Sequence, residues 1–175
     1  MFRVLQEVKM IMSSNGDGVV GVIKTIQQSA KEAPCKKTVQ KITYLLQEAN
    51  NQRVFDYSIH FYGPYSAELD SEIQQLCNYG DLDIDITAHG HKISVNNLQK
   101  ASGVVNRDDK KIIEAFSSKK PSELELLATT LYIQRAMPNA NDKTIIEGVT
   151  KIKGPKYSLA QINEAIQELK NKKYF

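Results

Sequence analysis

Two spacings of apolar residues alternate along the chain. From Asp17 to Ala30, the residues Val19, Val20, Val22, Ile23, Ile26 and Ala30 recur at roughly helical intervals, and Pro34 breaks the pattern. Lys36 to Asn50 carries Val39, Ile42, Leu45, Leu46 and Ala49, which predicts a second helix with one buried face that ends at Asn50-Asn51. The period then falls to two. Phe55, Tyr57, Ile59 and Phe61 alternate with Asp56, Ser58, His60 and Tyr62, the signature of a half-buried strand. Gly63-Pro64 predicts a turn. Ser66 predicts an N-cap for a helix bearing Leu69, Ile73, Leu76 and Cys77, with Gly80 as its C-cap. Leu82, Ile84 and Ile86 alternate with acids, Ala88-His89-Gly90 turns the chain, and Ile93 and Val95 alternate back, which predicts a β-hairpin.

After a polar connector, only helices are suggested. Ile112, Ile113 and Phe116 mark a short one from Asp108. Ser122-Glu123-Leu124-Glu125 predicts a capping box for a helix with Leu124, Leu127, Ala128, Leu131 and Tyr132 inward, ending at Met137-Pro138. Asp142 to Ile152 carries Ile145, Ile146, Val149 and Ile152, and Gly154-Pro155 stops it. Ser158-Leu159-Ala160-Gln161 is a second capping box, followed by Ile162, Ile166 and Leu169. The expected fold is therefore α+β and mostly helical. Residues 1–96 form a winged-helix-like part of helices, one strand and a β-hairpin, 97–106 a connector, and 107–175 a helical subdomain packed on it.

Composition supports a folded chain of this class. The 175 residues are 41% hydrophobic and 25% charged, and Gly and Pro are sparse at 9 and 5, against the turn-rich pattern of a β-sandwich. No apolar run reaches the ~18 residues of a membrane span. The first twelve residues are broken by Arg3, Glu7 and Lys9, unlike a signal peptide. Two cysteines, Cys35 and Cys77, make no disulfide framework, and a reducing cytoplasm is expected. The formal charge of +3 is unevenly spread. Residues 1–100 hold 10 basic and 11 acidic residues, whereas 101–175 hold 13 and 9. Between Tyr65 and Ile86 there are six acids and no Lys or Arg.

That local deficit bears on the first function to test. A winged helix usually places the helix before its hairpin in the DNA major groove. Here that helix shows Glu68, Asp70 and Glu72, and the hairpin adds Asp81, Asp83 and Asp85, all of which repel phosphate. A nucleic-acid role would need another surface, such as Lys36, Lys37 and Lys41, or Lys151, Lys153 and Lys156, and both clusters read more simply as solvated helix faces. Metal chemistry finds half a ligand set in His89 and His91, with Asp83 and Asp85 near and His60 on another strand, and no metal site is assigned. Phosphate-binding loops, nucleophile elbows and kinase motifs are missing from the sequence, so neither catalysis nor a cofactor is expected.

The most distinctive string is His60-Phe61-Tyr62-Gly63-Pro64-Tyr65-Ser66, a fixed corner flanked by tyrosines that reads either as a structural turn or as an aromatic recognition patch. Together with Lys37-Thr38-Val39-Gln40-Lys41-Ile42-Thr43-Tyr44-Leu45-Leu46, Leu76-x-x-x-Gly80-x-Leu82 and Glu123-Leu124-Glu125-Leu126-Leu127-Ala128-Thr129, it resembles the YwgA-like family of uncharacterised bacterial proteins over residues 17–170. More distantly it is similar to SocA or Panacea-type domains. The resemblance implies a bacterial or phage cytoplasmic protein and, through the distant relatives, a proteolytic adaptor or antitoxin; it carries no catalytic residues.

The expected function is thus a non-enzymatic, protein-binding module with an adaptor, antitoxin-like or regulatory role. Its partner-binding surface is expected at Tyr44, His60, Tyr62, Gly63, Pro64 and Tyr65, with Glu68 and Glu72 of the acidic helix beside them. An acidic, aromatic-edged patch of that kind suits a basic protein partner. The competing expectation is a DNA-binding transcriptional regulator that uses Lys36, Lys37 and Lys41. A homodimer is compatible with either, and no membrane association is expected.

Overall fold

The computed structural model describes residues 16–88, 90–98 and 103–175, and among them it holds seven α-helices and two antiparallel strand pairs, a mostly helical α+β protein. The elements run α1 (Asp17–Ala30), α2 (Lys36–Ala49), β1 (Ser58–His60), β2 (Gly63–Tyr65), α3 (Ala67–Asn78), β3 (Leu82–Thr87), β4 (Gly90–Val95), α4 (Arg107–Ser117), α5 (Pro121–Ala136), α6 (Asp142–Lys153) and α7 (Leu159–Asn171). Among the described residues no helix is long and apolar enough to cross a membrane.

The strong periodicities fold as expected. α1 and α2 occupy the predicted spans to within a residue. α3 ends in a Schellman arrangement: Gly80 takes φ 83°, its N–H donates to the Cys77 carbonyl at 3.1 Å, and the Asp81 N–H donates to Leu76 at 2.9 Å. The α7 capping box forms as predicted, with Ser158 accepting from the Gln161 N–H and Gln161 accepting from the Ser158 N–H.

Two local readings need correction. Of the predicted strand over residues 55–62 only Ser58–His60 is strand, and this β1 pairs with the following β2 through Ser58↔Tyr65, Ile59↔Pro64 and His60↔Gly63. The chain reverses at Phe61-Tyr62, so Gly63-Pro64 lies inside β2 rather than in the turn. The period of two ran on through the reversal because both turn residues are aromatic. Helix α5, for its part, starts at Pro121, one residue ahead of Ser122. Pro needs no N–H partner in a first turn, and Glu123 reaches back to accept from the Lys120 N–H at 2.8 Å.

The described residues group into two compact units. One combines the described part of Met1–Lys36 with Glu68–Ser118, and the other combines Lys37–Ala67 with Lys119–Phe175, so the chain enters each unit twice. The predicted β3–β4 hairpin forms, in the register Leu82↔Val95 through Thr87↔Gly90, and is a sheet separate from β1–β2.

In the first unit α1 packs on α4 and on β4. The Ile93 N–H donates to the Pro34 carbonyl at 2.8 Å, and the Gln27 side chain accepts from the Val95 N–H at 3.1 Å, so main-chain groups of β4 not used by β3 are satisfied. Lys36 forms an ion pair with Asp70. Gly103 lies against the backbone of α1, where a Cβ would collide with Gly21 and with the Asp17 carbonyl. In the second unit α5 packs against β2, α6 and α7. Arg135 Nε donates to Glu48 at 2.8 Å, and the Tyr174 hydroxyl donates to the Leu45 carbonyl at 3.0 Å, tying α5 and the C-terminus to α2.

The two glycines just described should respond differently to substitution. Gly103→Ala introduces a backbone collision and is expected to lower unfolding free energy by about 2 kcal/mol or more in denaturant titrations. Gly80→Ala meets open space and costs only the left-handed backbone, about 1 kcal/mol. Gly80→Asn should recover part of that loss, because Asn tolerates this conformation.

Candidate functional site

Helix α2 has two faces, and both are buried. Val39, Ile42, Leu45 and Leu46 form the apolar one. The other carries Gln40, Lys41 and Gln47, each at most 3% exposed. These polar side chains are inside because they complete the main chain of the segment that follows. Gln40 Nε2 donates to the Ser66 carbonyl and its Oε1 accepts from the Ser66 N–H, both at 2.9 Å. One helical heptad later Gln47 does the same at Phe55, at 3.1 and 3.2 Å. Between them Lys41 Nζ donates to the Pro64 carbonyl at 2.6 Å. Two primary amides thus clamp both ends of residues 55–66, and an ammonium holds the second strand at Pro64.

The clamped segment presents its turn outward. Phe61 is 80% and Tyr62 46% exposed, with their rings edge to face at 5.0 Å. Neither has a positive φ; Gly63 takes the left-handed step that follows, at φ 86°. A Cβ on Gly63 would lie 2.8 Å from Thr129 Oγ1 and 3.3 Å from Lys41 Cε, so β2 sits against α5 at a distance only glycine permits. Lys37 Nζ stands 3.6 Å over the Tyr62 ring. His60 packs its ring 5.0 Å from Tyr65.

Behind the turn lies an ion cluster. Lys153 Nζ donates to the Phe61 carbonyl at 2.7 Å and pairs with Glu125 at 2.9 Å; the two side chains are 2% and 5% exposed. Lys156 meets both oxygens of the same carboxylate at 2.8 and 2.9 Å. Burial by itself pushes the Glu125 carboxyl up. Hydrogen bonds from Lys156 and Lys153, together with their charges, outweigh it and hold the group below the usual carboxylate range. Lys156 also approaches the Tyr62 ring, at 5.8 Å.

The expected site residues separate into three groups. His60, Tyr62 and half-buried Tyr65 come together at the corner, and buried Gly63 and Pro64 support it from below. Tyr44 does not reach a surface: at 2% exposure it stacks on Tyr57 at 5.0 Å, and burial, reinforced by Glu48, pushes its phenol well above the ordinary range. Glu68 and Glu72 belong to the first unit, whereas the corner belongs to the second. Within the second unit the charged groups beside the Tyr62 ring are those of Lys37 and Lys156.

The lysine trio is divided as well. Lys41 is buried and held by Pro64, Lys36 pairs with Asp70, and exposed Lys37 covers Tyr62. Two of the three ammonium groups thus have partners within the protein. His91 is exposed in the hairpin, and His89 lies outside the described residues. Among the described residues no group of three or more His, Cys, Asp or Glu is gathered as for a metal ion. Cys35 and Cys77 are half-buried and not joined in a disulfide, so Cys77 is not the core residue its helix face suggests; burial, then Asp83, pushes its thiol up. A depression of about 140 Å³ between α5 and α7, lined by Leu126, Tyr157 and Gln161 among others, is smaller than the ~300 Å³ of an ordinary small-molecule site.

The sequence does not single out Phe61 over Tyr62 as the more exposed ring, it reads Lys153 and Lys156 only as part of a basic cluster with Lys151, and it reads Glu125 as a helix N-terminal charge. A usable signal did exist in Glu125 itself, an acid at the first buried turn of an apolar helix, which requires a cation.

The chain is similar to the uncharacterized protein YwgA of Bacillus subtilis (strain 168), with 29% identity over 147 residues that cover 79% of this chain and 86% of that one. This supports the YwgA-like resemblance over most of the chain. No family model matches the sequence.

Two substitutions test the geometry. Gln40→Ala strands the Ser66 N–H and carbonyl inside the protein and is expected to cost about 2–3 kcal/mol in denaturant unfolding. For Glu125 the folded pKa is depressed, so its contribution is complete above the unfolded value near ~4.3 and is lost as pH falls through the folded value. Glu125→Gln should lower stability at neutral pH by roughly 3 kcal/mol, because Lys153 is left buried without its counter-charge. The difference from wild type should shrink as pH is lowered through that range.

Proposed function

We propose that this protein is a non-enzymatic binding module that recognises another protein through the Phe61–Tyr62 corner, in an adaptor, antitoxin-like or regulatory role. The observation that carries this reading is an aromatic pair held out to solvent on a backbone that cannot relax. Phe61 is 80% exposed, yet its own carbonyl is fixed by a buried lysine, and Gln40, Lys41 and Gln47 fix the strands on either side. A pre-ordered aromatic loses little conformational freedom on binding, which is what favours such residues as anchors at interfaces. The order of α1, α2, a short strand pair, α3 and a hairpin supports a winged-helix-like description. The nucleic-acid alternative has less support, because Lys36 and Lys41 are engaged internally.

A simultaneous charge reversal of Lys36, Lys37 and Lys41 would disrupt internal contacts and so could not separate these readings. Phe61→Ala leaves the interior intact. Tagged wild type and Phe61→Ala, each crosslinked in extracts of the native host with nuclease present, are expected to differ in one discrete protein. The variant should recover it with about tenfold or greater loss, as for an interface anchor. Equal recovery by both, or a partner that disappears with nuclease, counts against the proposal.

A further inference from the structure

The charges around the aromatic corner specify more than the presence of a partner. Three ammonium groups, those of Lys37, Lys153 and Lys156, stand at or directly beneath the Phe61–Tyr62 turn. One carboxylate, Glu125, answers two of them. Among the described residues Lys37 has no carboxylate partner. Its contact is the face of Tyr62 at 3.6 Å, which orients the ammonium without neutralising it. Lys156 is part-exposed and retains donor capacity beyond its bonds to Glu125. The corner is therefore an apolar knob on a base of excess positive charge.

We infer that the Phe61–Tyr62 corner takes an acidic segment of a partner protein, with an apolar side chain against Phe61 and carboxylates at Lys37 and Lys156. This rests on the binding-module reading above and adds the sign and spacing of what is bound. Charge complementarity carries the choice: a basic segment would meet repulsion from both lysines, and a neutral one would leave Lys37 unanswered. Single-stranded nucleic acid fits less well. Stacking platforms offer successive open ring faces, whereas one face of Tyr62 is covered by Lys37 and the Phe61 ring stands at 89° to it. An anionic lipid surface fits less well too, since one phenylalanine gives little apolar area to insert.

The test is selection of a random peptide display library on the full-length protein, with Phe61→Ala for counter-selection. Enriched peptides are then titrated against wild type, Phe61→Ala and Lys37→Glu by fluorescence anisotropy at low and raised salt. The expected motif places Asp or Glu beside a large apolar residue. Its affinity should fall about tenfold in either variant and decline with salt. Lys37→Glu should also shift the selected motif toward Lys and Arg. Thermal unfolding of both variants close to wild type confirms that these exposed positions have not disturbed the fold. A Phe61-dependent motif that is uncharged or basic overturns the acidic inference and leaves the binding module standing. Absence of any Phe61-dependent peptide overturns both. Tighter, Phe61-dependent binding of an oligo(dT) probe or of phosphatidylserine vesicles also overturns the inference, in favour of nucleic acid or membrane.

Discussion

A ribbon of two three-residue strands cannot satisfy its own outer main-chain groups, and the segment from Phe55 to Ser66 is held in place by what α2 supplies to it. Gln40 and Gln47, seven residues apart on one helix face, each present an amide whose donor and acceptor match the carbonyl and N–H of one residue. Lys41 adds a charged donor to the Pro64 carbonyl. Buried polar groups of this kind stabilise only when every partner is present, and a half-satisfied set is worse than an apolar one. That all-or-none character fixes the register of the ribbon against α2. With it are fixed the position of Gly63 against α5 and the outward direction of Phe61 and Tyr62.

The same logic governs the charges beneath the turn. Lys153 is buried and would be costly alone; Glu125 compensates it, and the Phe61 carbonyl takes a further donor. The Glu125 carboxyl is stabilised in its ionised form despite burial, so the cluster persists at neutral pH. Its geometry also explains why the exposed aromatic pair need not collapse inward. The carbonyl of Phe61 is tied to the end of α6, and Lys37 occupies a face of the Tyr62 ring.

Helices, caps and the β3–β4 hairpin were legible because they follow from local periodicity and local capping chemistry. Ser158 with Gln161, Gly80 after α3, and Leu82, Ile84 and Ile86 each act within a few residues. The candidate site was legible in part. His60-Phe61-Tyr62-Gly63-Pro64-Tyr65 is distinctive because Gly, Pro and aromatics rarely crowd together without a conformational reason. Which aromatic is exposed was not legible, since alternation continues unbroken across a reversal that no side chain in the string announces. Nor was the fate of the polar residues on α2, which in a linear reading belong to a solvated face.

The sequence by itself determined the class of this protein, the extent of its helices and the place of its one unusual corner, because each depends on residues within a turn or two of one another. Only the tertiary structure decided that Gln40, Lys41 and Gln47 are interior, that Glu125 is a counter-ion and not a cap, and that Lys37 and Lys156 stand beside the Tyr62 ring. Those outcomes depend on partners that lie 8 residues away for Gln47 and Phe55, 23 for Lys41 and Pro64, and 92 for Lys153 and Phe61. Hydrogen bonds and ion pairs act over a few ångströms in space, and separation along the sequence leaves no periodic trace of them.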